Sequence, residues 1–309
     1  MSVLRTEYKD RESWLAARTI GASDVGTILG INPRKSAYTL AAEMIGEIPR
    51  ETENIAMRRG KQMEPLIAEL LAEETGLEVR DEGLYVIYRN SERPHLGATP
   101  DRLIDDNPAE LKDGLLFMAK HWKDGEAPLS YKVQLQIQMY CMDQDEGWLC
   151  GLLADKPEVR HYLKSDKWRE RFLPKIDAFW ENVEKKKLPP LDTSQSTFKT
   201  FDILHPNDSG ATLQMDDEQV ASYHVWKQAK ALLSNFTEEE KNAKLELKRI
   251  IGEHTFAEAE SILLSLKTQT RPGKLSVDLE HEETLRKAGI PFKVTEPSTF
   301  RVLREHKAK

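Results

Sequence analysis

The chain has 309 residues, 39% hydrophobic and 31% charged, apolar enough for a packed core and too apolar for an extended disordered polymer. Its formal net charge of -7, from 45 Lys and Arg against 52 Asp and Glu, excludes a protein that coats nucleic acid through bulk positive charge, because such binding displaces counterions with lysine and arginine. Two cysteines, Cys141 and Cys150, exclude a disulfide framework, and no CxxC or HxxxH spacing supplies a zinc site.

In chain order, MSVLRTEYKDRESW is too polar for a signal peptide, and no run of about 18 apolar residues follows it. The expectation is a cytoplasmic protein with reduced thiols and no membrane contact. RTIGASDVGTILG (18 to 30) offers Arg18, Ser23 and backbone amides at a helix start, an anion site; Ser23 or Asp24 serves equally as a plain N-cap. In GKQMEPLIAELLAEETG (60 to 76), Glu64 lines up with Ile67 and Leu71 at i+3 and i+7, so its carboxylate lies on the core-facing side of a helix, as a metal site would require. The alternative is that Glu64 marks a helix start before Pro65. LYVIY, GATPDRLI and GWLCGLLA are strand-like runs among helical patterns, which predicts an α/β core. In YKVQLQIQMYCM (131 to 142), Tyr131, Gln134 and Gln138 share one face of an otherwise apolar helix.

The chain divides near residue 190, with 191 to 215 a linker and 216 to 309 an accessory region. There DDEQVASYHVWKQAKALLSNFTEEEKNAKLELKRIIGEH predicts a long helical hairpin, followed by a small α/β unit. Its strands are ESILLSLKTQT, KLSVDL and STFRVLRE, and its helix is HEETLRKAG, closed by Gly289.

The densest chemistry lies in GATPDRLIDDNPAELKDG (97 to 114). Strand alternation puts Glu110 and Lys112 on one face and Leu111 on the other. A turn around DDNP lets the strand ending near Asp101 and Leu103 pair back, bringing Asp101 beside Glu110. Two adjacent carboxylates repel unless neutralised, and a hard divalent cation with oxygen ligands, Mg2+ or Mn2+, does this. Lys112 would then orient or help deprotonate a water that the metal activates for phosphodiester cleavage. An ordinary hairpin turn with a solvated ExK pair is the structural alternative.

Pro100-Asp101 followed by Glu110-Leu111-Lys112 resembles the PD-(D/E)XK nuclease motif, and the surrounding blocks resemble the YqaJ-type viral recombinases, the family of phage lambda exonuclease. RTIGASDVGTILGINP, RRGKQMEPLIAELL, TPDRL with AELK, and YKVQLQIQMYCM match in order, over roughly residues 10 to 185. The resemblance implies a restriction-endonuclease-like core, a central mixed sheet flanked by helices. It implies metal binding by Asp101, Glu110, Glu64 and Leu111, with two ions per site, and catalysis by these carboxylates with Lys112 and Gln134. It assigns Arg18, Ser23 and Tyr131 to DNA and 5'-phosphate binding. It further implies a 5'-to-3' exonuclease on double-stranded DNA ends, a ring trimer and a single-strand-annealing recombinase as partner, in the cytoplasm of a bacterial host cell.

Arg58, Arg59, Lys61, Arg34 and Lys35 are candidates for a DNA channel. Arg102 stands where many relatives have glycine, and Asp113-Gly114 replaces an apolar or Cys-Pro pair. Two other functions suit the same fold: a structure- or sequence-selective endonuclease, and a DNA-binding or assembly protein without catalysis.

Overall fold

A computed structural model describes residues 2–50, 52, 54–114, 122, 126–207, 210–260, 262–271, 287 and 298–307. The chain forms two compact units, Met1–Ser209 and Gly210–Lys309. Unit 1 begins with β1 (Val3–Glu7), α1 (Arg11–Ala16), β2 (Ile20–Gly21), a 3-10 turn at Ala22–Asp24, α2 (Val25–Ile28), α3 (Ala37–Ile45) and α4 (Ile55–Thr75). It continues with β3 (Val79–Arg80), β4 (Val86–Asn90), β5 (Leu96–Ala98), β6 (Arg102–Ile104), β7 (Asn107–Gly114), α5 (Leu129–Met142), β8 (Glu146–Leu153), β9 (Lys156–Leu163), α6 (Asp166–Glu184) and α7 (Gln195–Leu204).

The strands form two sheets, in the orders β1-β4-β5-β2 and β3-β6-β7-β8-β9. The second is mixed. β6 and β7 pair antiparallel through a tight turn in which Ile104 faces Asn107 and Asp105 takes a positive φ of 49°. β7 and β8 run parallel, which requires a crossover, and α5 supplies it. The run GATPDRLI is therefore not one strand. Its first half joins one sheet and its second half the other; between them Pro100 has no N–H to give to a ladder, and Thr99 donates its hydroxyl to the Val86 carbonyl at 3.0 Å.

Two helices sandwich the second sheet. α4 places Ile67, Ala68 and Leu71 against Ile104, Ala109, Leu111 and Cys150. α5 packs against the other face, with Leu135 and Met139 on Leu149 and Leu153. Further along α5, Val133, Ile137 and Cys141 join the core shared with the first sheet and α6, around Leu96, Ile176 and Phe179. α4 starts at Asn54, whose side chain accepts from Met57 N, and ends at Gly76, whose φ of 69° suits a residue without Cβ. Pro65 thus lies inside the helix, which removes the alternative that Glu64 marks a helix start.

Residues 195–204, expected as linker, form α7. Its hydroxyls dock on α3: Thr39 Oγ1 lies 2.9 Å from Thr200 Oγ1, and Thr197 donates to Ser36 Oγ at 2.8 Å. A serine- and threonine-rich stretch looks like linker in sequence because its partners lie on a distant helix.

Unit 2 holds α8 (Asp217–Ile251), β10 (Phe256–Ala259), β11 (Ile262–Arg271) and β12 (Ser298–Lys307), the strands in one antiparallel sheet of that order. The expected helical hairpin is instead one continuous helix of 35 residues. No Gly or Pro interrupts it before Gly252, and Asp216 and Gln219 close its start as a capping box. Two expected strands, ESILLSLKTQT and STFRVLRE, coincide with β11 and β12; KLSVDL and the helix ending at Gly289 lie outside the described residues, Lys287 aside.

Gly151, paired with Lys112 across β7 and β8, lies under the Trp122 ring. A Cβ there would sit 2.4 Å from Trp122 Cζ2. Gly151→Ala should lower stability by about 1–3 kcal/mol through overpacking, read as a lower urea midpoint at unchanged m-value. An unchanged midpoint would mean that Trp122 does not pack on this strand.

Candidate active site

Extrapolating the pairing of Arg102 with Ala109 by one residue sets Asp101 opposite Glu110, as the turn predicted. Asp101 Oδ2 accepts from the Leu111 amide at 2.7 Å, which ties the end of β6 to the middle of β7. Strand alternation then sorts the side chains. Leu111 enters the apolar cluster under α4, while Glu110 turns to the face covered by α5.

Glu110 is 1% exposed. A buried carboxylate is tolerable only when donors surround it, and here they come from two elements. Lys112 Nζ bonds Oε1 from the same strand face. From α5, Gln134 Nε2 donates to Oε1 at 2.6 Å and Gln138 Nε2 to Oε2 at 2.5 Å. The Lys112 ammonium also lies 5.2 Å from the centroid of the Tyr131 ring, one helical turn before Gln134.

Charge is out of balance at this site. Burial and the neighbouring Glu110 charge hold the Asp101 carboxyl well above the usual carboxylate range, although Lys112 and the Leu111 amide pull the other way. Burial also raises Glu64 on α4; Arg102 opposes that shift and Glu110 adds to it. Lys112 moves upward: burial disfavours its charge, but Glu110 and Asp101 outweigh that cost and keep it protonated. Three carboxyls, Asp101, Glu110 and Glu64, thus crowd around the Lys112 ammonium, and their proximity disfavours full ionisation of Asp101 and Glu64.

The structure therefore brings together Asp101, Glu110, Lys112, Gln134 and Tyr131, with Glu64 within electrostatic reach. Arg18 and Ser23 form a different group. The Arg18 guanidinium stacks 4.8 Å from the Trp14 ring centroid, and its Nη2 and the Ser23 hydroxyl lie 2.9 and 3.6 Å from where a Cβ on Gly21 would be. Asp24, not Ser23, closes this turn, by accepting from the Gly21 amide at 2.9 Å. Ser23 stays exposed. No hydrogen bond or ion pair joins Arg18 or Ser23 to the carboxylates among the described residues.

Two of the basic candidates for a DNA channel make ion pairs: Arg59 with Asp113 at 2.9 Å and Lys35 with Glu43 at 2.5 Å. The unusual Asp113 is thus a partner for α4, and Arg102 Nη1 caps the Asp101 carbonyl at 2.5 Å. Gln138 is the residue that sequence reasoning placed on the right face but not at the site. Its signal was present: an amide at i+4 from Gln134 in a helix otherwise apolar on that side.

Among the described residues, no group of three or more His, Cys, Asp and Glu side chains could hold a metal ion by itself. Magnesium rarely uses such a cage, taking one or two carboxylates and leaving its other positions to water and phosphate. Asp101 and Glu110, with Glu64 within electrostatic reach, fit that pattern.

Residues 13–145 match the model of the YqaJ-like viral recombinase domain. The uncharacterized protein YqaJ of Bacillus subtilis (strain 168) is 34% identical over 131 residues, 41% of this chain and 40% of that protein. The chain therefore spans about two fifths of the curated relative it matches. An alkaline exonuclease, LHK-Exo, from Laribacter hongkongensis superposes with a TM-score of 0.50 at 24% identity, covering 57% of this chain and 94% of that one. A structure of LHK-Exo with dAMP gives 0.48 at 23% identity, with coverage of 57% and 94%. Residues 13–145 are thus similar in sequence to the YqaJ-like viral recombinase domain, and the mixed sheets between helices of the first unit are those of the alkaline exonuclease fold.

Proposed function

We propose that the protein is a metal-dependent DNA exonuclease of phage recombination type, hydrolysing duplex ends in the 5'-to-3' direction to expose single strands for annealing. One observation carries this reading: Asp101, Glu110 and Lys112 converge on β6 and β7, with amides from α5 completing the site. The domain match and the alkaline exonuclease fold support it.

Mg2+ or Mn2+ would be held by Asp101, Glu110 and the Leu111 carbonyl, and the second ion suggested by the family would draw on Glu64. Bound there, the metal supplies Lewis-acid chemistry, activating water and offsetting charge on the phosphate. The chain's own residues do the rest. Asp101, held by the Leu111 amide, and Glu110, held by three donors, keep their oxygens in place without reorganisation. Lys112, kept charged by its two acidic neighbours, is a donor and not a base, so it orients the nucleophile or steadies charge on the phosphate. Gln134 adds a neutral donor that does not compete for the metal. Tyr131 backs the lysine.

Arg18, braced on Trp14 with Gly21 leaving room beside it, and Ser23 would receive a terminal 5'-phosphate. Unit 2 serves as an accessory region. Trp226, Leu233 and Phe236 on α8 are exposed, and exposed apolar side chains suit subunit association in a ring trimer or docking of a single-strand-annealing recombinase. Among the described residues no helix is long and apolar enough to cross a membrane.

With Mg2+, end-labelled linear duplex should be consumed while covalently closed circles survive. Cut circles would favour an endonuclease, and no cleavage of either a DNA-binding role. On linear substrate, 5'-phosphorylated ends should be degraded faster than 5'-hydroxyl ends, and Arg18→Ala should erase that preference; equal rates in the parent would remove Arg18 and Ser23 from end recognition.

The two carboxylates should separate in stability although both are needed for cleavage. Asp101→Asn keeps an oxygen for the Leu111 amide and removes a charge beside Glu110. Because the Asp101 pKa is raised in the fold, the group opposes folding increasingly as pH rises above its ordinary value. In EDTA at pH 7 this variant should melt no earlier than the parent, with its advantage shrinking in acid. Glu110→Gln instead points an amide N–H at one of three donors and should cost about 1–3 kcal/mol. Both should lose activity well beyond the roughly 10–100-fold typical of an outer-shell partner. Equal destabilisation by the two substitutions would contradict the charge distribution described above.

A further inference from the structure

Gln138 is buried to 0% exposure among core residues of α5, and its amide is divided in its loyalties. Nε2 donates to Glu110 Oε2 at 2.5 Å. Among the described residues Oε1 is buried with no hydrogen-bond partner. Reversing the amide would set two acceptors against each other, so chemistry fixes this orientation. A buried amide with one end orphaned is destabilising, and an apolar side chain of equal length would avoid that cost. What the amide provides is its bond to Glu110.

The donors around Glu110 are distributed unequally. Oε1 receives Lys112, whose side chain is 25% exposed, and the partly exposed Gln134. Among the described residues Oε2 receives only Gln138, which is sealed in the core. One oxygen thus faces the open side of the site and the other faces its floor.

We propose that Gln138 is a positioning residue that pins Glu110 Oε2 to the floor of the site and so leaves Oε1 as the oxygen offered to a divalent cation. This rests on the metal-dependent reading above and adds the residue that sets the ligand's orientation. Lys112 and Gln134 are then exchangeable donors, holding Oε1 until a cation takes their place, whereas Gln138 stays bound throughout. Without it the Glu110 carboxylate can rotate, and Lys112 can bridge both oxygens and compete with the metal. Outer partners that orient a ligand typically change metal affinity by about 10–100-fold.

The test titrates Mn2+ alone into the full chain by calorimetry, follows the bound ion by electron paramagnetic resonance, and measures kcat and KM on linear duplex. Gln138→Met and Gln138→Leu remove the amide with little change in volume; Gln138→His keeps an N–H donor. In an apolar variant with the parent's near-ultraviolet circular dichroism, Mn2+ affinity should fall at least about tenfold. The Mn2+ signal should broaden, and kcat should drop at unchanged KM. Gln138→His should recover part of the affinity. If the parent itself binds no Mn2+, the metal-dependent reading fails. If the parent binds and cleaves but a folded apolar variant matches its affinity, the positioning role is wrong. An equal loss in Gln138→His would assign the effect to packing and also overturn it, as would failure of both apolar variants to reach the parent's circular dichroism, which would make the amide a requirement of folding.

Discussion

A single carboxylate, Glu110, buried inside a β-sheet and held by N–H donors from a strand and a helix, sets the constraints that the rest of unit 1 satisfies. Ionised carboxylates leave water at high cost unless several hydrogen bonds replace it. That requirement fixes α5 against this face of the sheet with amides one turn apart, at Gln134 and Gln138. It also fixes Lys112, because in a strand the residue at i+2 shares the face of Glu110. Leu111 between them is driven to the opposite face, where α4 receives it. The polar site and the apolar core are thus two faces of one strand, and neither can shift register without destroying the other.

The surrounding topology makes that arrangement possible. Because β7 and β8 are parallel, the chain must cross over the sheet between them, and α5 is the crossover. Asp101 arrives differently, at the start of β6, and the Leu111 amide grips its side chain instead of extending the ladder. Pro100 before it has no N–H of its own, which suits a segment passing from one sheet to the other. The site lies where ladder hydrogen bonding ends and side chains take over the backbone's donors.

The strand face of Glu110 and Lys112, and the return of Asp101 beside them, were legible because both follow from local rules: alternation along a strand and a tight turn at Asp105 and Asp106. What failed to show was what depends on distant partners. The Gln138 face of α5 is equally compatible with solvent or a sheet until the sheet is placed. Ser196, Thr197 and Thr200 look like linker until Ser36 and Thr39 at the start of α3 pair with them. GATPDRLI has strand composition throughout, yet its halves belong to different sheets. On α8, no Gly or Pro comes before Gly252, and the expected hairpin is one uninterrupted helix because nothing in the segment breaks it.

One helix links the two halves of the proposed activity. α5 carries Gln134 and Gln138 against Glu110, and the 3-10 turn and α2, which follow Gly21, pack on the same helix, with Gly26 lying over Ser130. The turn that carries Ser23 and the amides that hold Glu110 therefore share one packed element, α5. In the proposed reaction this has a chemical meaning. A terminal phosphate seated by Arg18 and Ser23, as proposed, and a scissile phosphate at the carboxylates would define which bond is cut by its distance from the end. Sequence need not be read at all, and after each cut the new terminus occupies the same seat. An enzyme that chose internal sites by base sequence would gain nothing from such a span, so the proposed end recognition and the proposed cleavage belong to one reading.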